Sequence, residues 1–438
     1  MRTLAIALMT GIAVLGLTAG DASAQDDTDP SDVVAPVDVL QVDGFIDHVV
    51  AAEITAAVDR LATNGSQALV LQVDSQGATI PDDDLAALLT TLDEAPRPLA
   101  VWVGPSGARL RGAAMQLLAV ADVSGMAPGA TVGYTDNRVT APNPDGVARI
   151  ATLIGRDVGL SEARELGVFD QRVTDEGIAT IANMLDALDG YTDGEIVLET
   201  TTEVVTEDGT IQRNTTAVPR FTKLGLVDQL LHTVASPPVA YLLLLTGLAL
   251  LVFEFFTAGV GVAGVVGAIS TLLAGYGLDE LPARGWAVGV LVAAIVAFAI
   301  DVQVGLPRTW TGVGIVLTIV GSLSLFEPMP GASMRLPWIT LIAGIGGIML
   351  TFIVGMPSMT RTRFATPTIG RDWMVGSEGV VVESVAPDGV VRVGDADWRA
   401  RTNRATPVEA GETIRVVAID GITLEVEPLE GAARDYRR

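Results

Sequence analysis

The side chains able to do acid–base or nucleophilic chemistry are few in this sequence. It holds one lysine, Lys223, two histidines, His48 and His232, and no cysteine. Thiolate nucleophiles, disulfides and Cys-ligated zinc are therefore excluded, and a hydroxyl nucleophile has only one amine and two imidazoles to serve as base. None of the three sits in a recognisable constellation. His48 falls in an early amphipathic stretch, where a surface position is expected, and His232 directly precedes a long apolar run, where an interfacial position is expected. Glu254 and Asp301 stand beside apolar runs, and ionisable groups in a membrane are functional candidates by default. Both lie near run ends, so snorkelling of the carboxylate to the interface is the less costly reading.

The hydropathy pattern supplies the frame for these residues. The 438 residues carry a net charge of −25 and a mean hydropathy of +0.46, yet residues 237–357 are almost free of charge while both flanks are rich in Asp and Glu. A multidomain membrane protein is the class that fits. The acidity and the lack of clustered Lys and Arg argue against nucleic acid as a partner, and a solvated acidic surface is the simpler reading. Arg2, the apolar Leu4 to Leu17 and the small triplet Ala22, Ser23, Ala24 read as a signal peptide over residues 1–24, followed by an acidic linker at 25–35. The domain after that linker is expected outside the cytoplasm.

From residue 36 to 190 short β-rich runs alternate with amphipathic stretches: Val37 to Val42, then Val50, Ile54, Val58 and Leu61 at helical spacing, then Leu69 to Val73. Helices near Asp82 to Leu92 and Ala108 to Val120, with a strand Leu99 to Val103 between them, continue a βαβ pattern with buried parallel strands. Residues 191–236, Thr-rich and with a hairpin signal at Glu207-Asp208-Gly209, read as a connector. A transmembrane region at 237–357 contains five apolar runs, near 239–257, 260–278, 285–304, 310–326 and 337–357, each long enough to cross ~30 Å of hydrocarbon. Arg361, Arg363 and Arg371 after the last run put the C-terminus in the cytoplasm, and an odd number of spans agrees with an exported N-terminal domain. Gly259, Gly261, Gly264 and Gly267 would permit close helix packing in a compact bundle.

After a basic linker at 358–375, the segment 376–430 has Val-, Ile- and Thr-rich runs separated by Pro387-Asp388-Gly389, Gly394-Asp395 and Asp420-Gly421, which predicts a small five-stranded barrel. Val380, Val382, Val391, Val393, Ile414, Val416, Leu424 and Val426 are expected to face its core. Between Gly376 and Glu430 eleven acidic residues stand against five arginines, with Trp398 the sole aromatic, a surface suited to protein rather than single-stranded nucleic acid.

Several stretches in order carry a resemblance. They are Leu71-Gln72-Val73-Asp74-Ser75-Gln76-Gly77, the turn Gly104-Pro105-Ser106-Gly107-Ala108-Arg109, Met126-Ala127-Pro128-Gly129-Ala130-Thr131-Val132-Gly133, Ala163-Arg164-Glu165-Leu166-Gly167-Val168, the helix end Phe253 to Gly259, and Trp398, Glu409-Ala410-Gly411 and Asp420-Gly421 near the C-terminus. Together they resemble the long form of the NfeD family, membrane-bound relatives of ClpP-class serine proteases. The resemblance implies a multidomain fold: an α/β ClpP/crotonase-like N-terminal domain, an α-helical transmembrane bundle and an all-β OB-fold C-terminal domain. It implies no cofactor or metal. It implies a serine endopeptidase with a Ser–Lys dyad, a stomatin- or flotillin-type membrane partner, a homo-oligomer, and a multi-pass protein of the plasma membrane.

This sequence departs from that pattern at the dyad. The family's serine follows the Gly-Ala-Arg turn by a few residues, and the matching position is Gly112; the lysine-bearing segment is matched by Asp136 to Ile150, which contains no lysine. Gly77 and Ala78 match the loop that supplies oxyanion N–H groups in the family. Ser106 is the fallback nucleophile and Ser75 a second hydroxyl nearby; turn chemistry accounts for the first and a strand-end hydroxyl bonded to backbone for the second. The expectation is a catalytically degenerate, protease-like scaffold or peptide-binding module in membrane organisation or protein quality control. The alternative is an active membrane-bound endopeptidase using Ser106.

Overall fold

The computed structural model describes residues 34–136, 140–169, 177–194, 196–205, 211–257, 261–304, 308–332, 334–358, 372–403 and 406–429. The expected signal peptide, most of both expected linkers, the Glu207-Asp208-Gly209 turn, Gly259 and the three arginines after the last apolar run lie outside them.

The N-terminal part opens with β1 (Val37–Ile46), α1 (His48–Leu61) and β2 (Ala68–Ala78). Asp47 starts α1 because its carboxylate accepts the Val50 N–H at 2.8 Å, and Val50, Ile54, Ala57, Val58 and Leu61 recur at helical spacing as one buried stripe. There follow α2 (Asp82–Asp93), β3 (Leu99–Val103), β4 (Arg109–Gly112), β5 (Val123–Met126) and β6 (Thr131–Thr135). Next come α3 (Pro144–Ala151), β7 (Asp157–Gly159), α4 (Leu160–Glu165) and α5 (Ile181–Leu188). The helix expected near Ala108 to Val120 is instead β4 followed by a 3-10 segment, Ala113–Ala119, that is buried on every side. With Gln116 its one polar residue, that run fits strand and helix periods equally well, so its pattern could not separate the two.

The ladders of this sheet are parallel apart from β6–β7. β2 pairs twice along its length: Leu69 to Val73 with β3, then Ser75 with Leu110 of β4. The sheet forks at that point, one branch continuing to β5 and the other to β6 and β7. The fork sets the C-terminal ends of β2 and β4 side by side. The stretch expected as a connector forms β8 (Thr192–Asp193) with β9 (Ile196–Val197), and β10 (Thr201–Val205) with β11 (Ile211–Thr215). It also forms β12 (Pro219–Thr222), which pairs in parallel with β1 and extends the main sheet.

α6 (Leu226–Val234) leads into the membrane block, formed by α7 (Pro237–Thr257), α8 (Val262–Glu280), α9 (Gly285–Val304), α10 (Thr309–Ser324) and α11 (Trp338–Met349), the last continued helically to Ser358. Four of these are long and apolar enough to cross a bilayer. The fourth of the five expected spans, α10, has 16 residues and rises only ~24 Å. Gly314 lies against Phe298 and Gly321 against Leu291, an antiparallel order that brings the chain back to the end where α9 began. There the Arg284 N–H donates to Leu325 O at 2.8 Å. α7 and α8 cross closely: a Cβ at Gly247 would lie 2.4 Å from Thr271 Oγ1, and one at Gly267 2.9 Å from the Leu251 nitrogen.

The two membrane carboxylates are explained by packing rather than by snorkelling. Glu254 accepts the N–H groups of Gly261 at 3.0 Å and Gly264 at 3.3 Å, placing its charge on the N-terminus of α8. Asp301 is buried and accepts the Thr311 hydroxyl, tying α9 to α10.

The C-terminal part is a closed barrel of β13 (Glu378–Glu383), β14 (Asp388–Val393), β15 (Ala396–Arg401), β17 (Thr423–Pro428) and β16 (Thr413–Asp420), paired in that order. Val391, Val393, Ile414, Val416, Leu424 and Val426 form its core as expected. Val380 and Val382 do not: Val381 is the buried one, and they face out. Three consecutive valines leave the register of β13 undetermined by alternation. The inward neighbour Gly379, whose Cβ would meet Arg392 O at 2.7 Å, fixes it.

Candidate functional site

β4 ends at Gly112, where φ 60° and ψ −140° turn the strand sharply into the 3-10 segment. This is the backbone shape of a nucleophile turn, a strand-to-helix bend that holds a side chain proud of the sheet at the expense of strain. Glycine adopts it without strain, and it presents no side chain. The fork of the sheet brings the end of β2 against it: the position of a Cβ on Gly112 is 3.5 Å from Gly77 Cα and 3.4 Å from Gln76 O. Gly77 and Gly112, singled out in sequence, are thus neighbours. Ala78, buried, continues β2 beside Ile46 of β1.

The hydroxyls take other roles. Ser75 is fully buried; its Oγ donates to Gly77 O at 3.0 Å and accepts the Gly77 N–H at 3.4 Å, so it closes the strand end on itself. Ser106 is exposed in the turn where the Ala108 N–H donates to Pro105 O at 2.9 Å. It precedes β4, whose length of four residues, ~13 Å, separates it from Gly112. Lys223 is exposed just past β12; with the strands ordered β12-β1-β2-β4, three spacings of ~4.8 Å put about 14 Å between its strand and that of Gly112. In the segment Asp136 to Ile150, residues 137–139 lie outside the described part.

The imidazoles are engaged away from Gly112. His48 lies 2.6 Å through Nδ1 from the Glu280 carboxylate at the end of α8, tying the wet domain to a membrane helix rather than standing free on the surface. His232 lies 2.7 Å through Nδ1 from Asp47 and 2.9 Å through Nε2 from Asp43 O. The hydrogen bond to Asp47 raises its pKa against the opposing effect of burial. Burial, reinforced by the charge of Asp74, raises that of Asp43.

Two features around Gly112 carry no sequence motif. Tyr134 has φ 47°, the one positive φ at a non-glycine among the described residues. Its N–H donates to Arg156 O at 2.8 Å, and the Arg111 guanidinium, paired with Asp157, stands 5.9 Å from its ring centroid. The second feature is the loop between α10 and α11, whose Pro330 carbonyl oxygen lies 2.7 Å from where a Gly112 Cβ would be. The dipeptide Pro330-Gly331 signals a turn in sequence but says nothing of where the turn lands. Among the described residues no group of His, Cys, Asp and Glu is placed to hold a metal.

Comparison with known proteins gives the same division. Residues 238–356 match the NfeD integral membrane domain, and residues 371–428 match the NfeD-like C-terminal, partner-binding domain. Over 89% of its length the chain is 23% identical to the membrane-bound protease PH1510 of Pyrococcus horikoshii, covering 92% of that protein. A solved membrane protease from the same organism, 1510-N, specific for a stomatin homolog, is 18% identical over 45% of this chain and 98% of its own, with a TM-score of 0.32. The solved C-terminal domain of the stomatin operon partner protein 1510-C, also from Pyrococcus horikoshii, is 40% identical over 14% of this chain and 94% of its own, with a TM-score of 0.13. The membrane block and the barrel are thus an NfeD integral membrane domain and an NfeD-like C-terminal, partner-binding domain, and along most of its length the chain is similar to a membrane-bound protease.

Proposed function

We propose that this protein is a catalytically degenerate, protease-like scaffold, with its α/β domain outside the cytoplasm and its barrel inside, acting in membrane organisation or protein quality control. One observation carries the reading: the nucleophile turn is kept in shape but occupied by Gly112, with the Pro330 carbonyl standing where a side chain would begin. A Ser–Lys mechanism needs a hydroxyl, an amine within hydrogen-bond reach and N–H groups for the oxyanion. Of these, the hydroxyl is absent at 112, the Gly77 N–H already donates to Ser75 Oγ, and the chain's single lysine is strands away. The matched partner-binding domain and the stomatin-linked names of the Pyrococcus horikoshii proteins support a stomatin- or flotillin-type membrane partner for the barrel. Assembly into a homo-oligomer belongs to the same reading.

The test is hydrolysis of unfolded and apolar model peptides by the full chain in proteoliposomes, wild type beside Ser106→Ala and Gly112→Ser. No turnover in any of the three is expected. Turnover by wild type that Ser106→Ala abolishes would overturn the scaffold and establish the endopeptidase with a displaced nucleophile.

A further inference from the structure

The α10–α11 loop reaches the cleft with a preformed tip. The Ala332 N–H donates to Met329 O at 3.2 Å, Pro330 follows Met329, and Gly331 has φ 74°. That is a type II turn, with proline fixing the second position and glycine supplying the positive φ of the third, so little conformational entropy is lost when it is held. The tip touches three strand ends at once. Met329 Cε is 4.0 Å from the Cβ position of Gly77 near the end of β2, and Pro330 O is 2.7 Å from that of Gly112 at the end of β4. A Cβ on Gly331 would stand 2.8 Å from the Gly112 nitrogen and 2.8 Å from Tyr134 Cβ on β6.

The fit is reciprocal. Neither Gly112 nor Gly331 has room for a side chain, and in each case an atom in the way is backbone of the other segment, which cannot swing aside. Tyr134 holds its positive φ in contact with the same turn, the kind of local strain that persists only where neighbours over-determine it. The carbonyl of Pro330 is also the group a protease cleft is shaped to receive, a peptide C=O brought to the nucleophile position.

We propose that the cleft at the end of β4 is a binding site for the chain's own Met329-Pro330-Gly331 turn, seated as an internal pseudosubstrate that clamps the α/β domain onto the α10–α11 loop. The proposal rests on the scaffold reading, since a working nucleophile at position 112 would face that carbonyl. Any external peptide reaching Gly112 must first displace the turn.

The chain has no cysteine of its own, so paired cysteines report the contact in the full protein. Tyr134→Cys with Pro330→Cys, treated with a short bis-maleimide in proteoliposomes, is expected to bridge within one chain in most molecules, and Lys223→Cys with Pro330→Cys to bridge rarely. Adding Gly112→Val, a branched side chain in a glycine-only backbone region, is expected to lower bridging about tenfold and to open Arg335 to trypsin. Bridging no better than in the Lys223 control overturns the clamp, as does bridging that survives Gly112→Val in a chain that still folds; if that variant does not fold, the two pairs decide alone. Peptide hydrolysis by wild type would overturn the scaffold without altering the bridging result, so the two readings fail separately.

Discussion

His232 shows how one side chain can make the wet domain sensitive to pH. Its Nδ1 faces Asp47 at the start of α1, its Nε2 faces the Asp43 carbonyl, the Asp43 carboxylate adds a favourable charge, and Asp228 lies on its own helix. The folded-state pKa is raised above 6.5, its ordinary value, chiefly by the bond to Asp47. A raised value means that the protonated form is favoured by folding. The stabilisation is therefore complete below pH 6.5 and is lost as pH rises through the folded-state value. Thermal melts of the full chain between pH 6 and 8 should show the melting temperature falling with pH, and His232→Gln should flatten that slope; an unchanged slope would assign it to other groups. At this scale the sequence was legible where motif order speaks: Gly77 and Gly112 meet, and Ser75 is a strand-end hydroxyl. Tyr134 was not, because a positive φ at tyrosine is imposed by its surroundings and leaves no mark on its neighbours in sequence.

Elements were legible where apolar spacing is unambiguous and misread where it is not. The α1 stripe and the strands Leu69 to Val73 and Leu99 to Val103 follow from periodicity. The mostly apolar Ala113–Ala119 and the triple valine of β13 carry no period, and tertiary contacts decide them. The β13 register gives a direct check. Val381→Asp places a carboxylate at a site 2% exposed and should cost about 3 kcal/mol or more, whereas Val380→Asp, at 47% exposure, should stay within about 0.5 kcal/mol. Chemical denaturation of the full chain, followed through a barrel-specific probe such as Trp398, separates the two; the opposite order would shift the strand by one residue. Glu254→Ala removes the carboxylate at the start of α8 and should destabilise the bundle by roughly 1 kcal/mol, read as a lower melting temperature in detergent.

The whole molecule divides into two compact units, residues 1–354 and 355–438. The first combines the α/β domain with the membrane block, tied by His48 to Glu280 and by the loop tip at Gly112. Calorimetry should accordingly give two transitions, with Val381→Asp lowering only that of the barrel and Gly112→Val only the other; a single shared transition would contradict the division. Domain order was legible from hydropathy and turn signals alone. The tie between the α/β domain and the bundle was not, because it joins residues more than two hundred positions apart and depends on where a loop lands.

The paired glycines at 112 and 331 also bear on how such a protein can change over generations. A serine arising at 112 meets the Pro330 carbonyl, and any side chain arising at 331 meets the strand end, so neither position can be altered first without cost. A lineage acquiring a hydroxyl at 112 would have to remodel the α10–α11 loop first. Selection for a side chain at 112 would therefore act first on a loop outside the α/β domain, and until that step is taken the glycine is locked in.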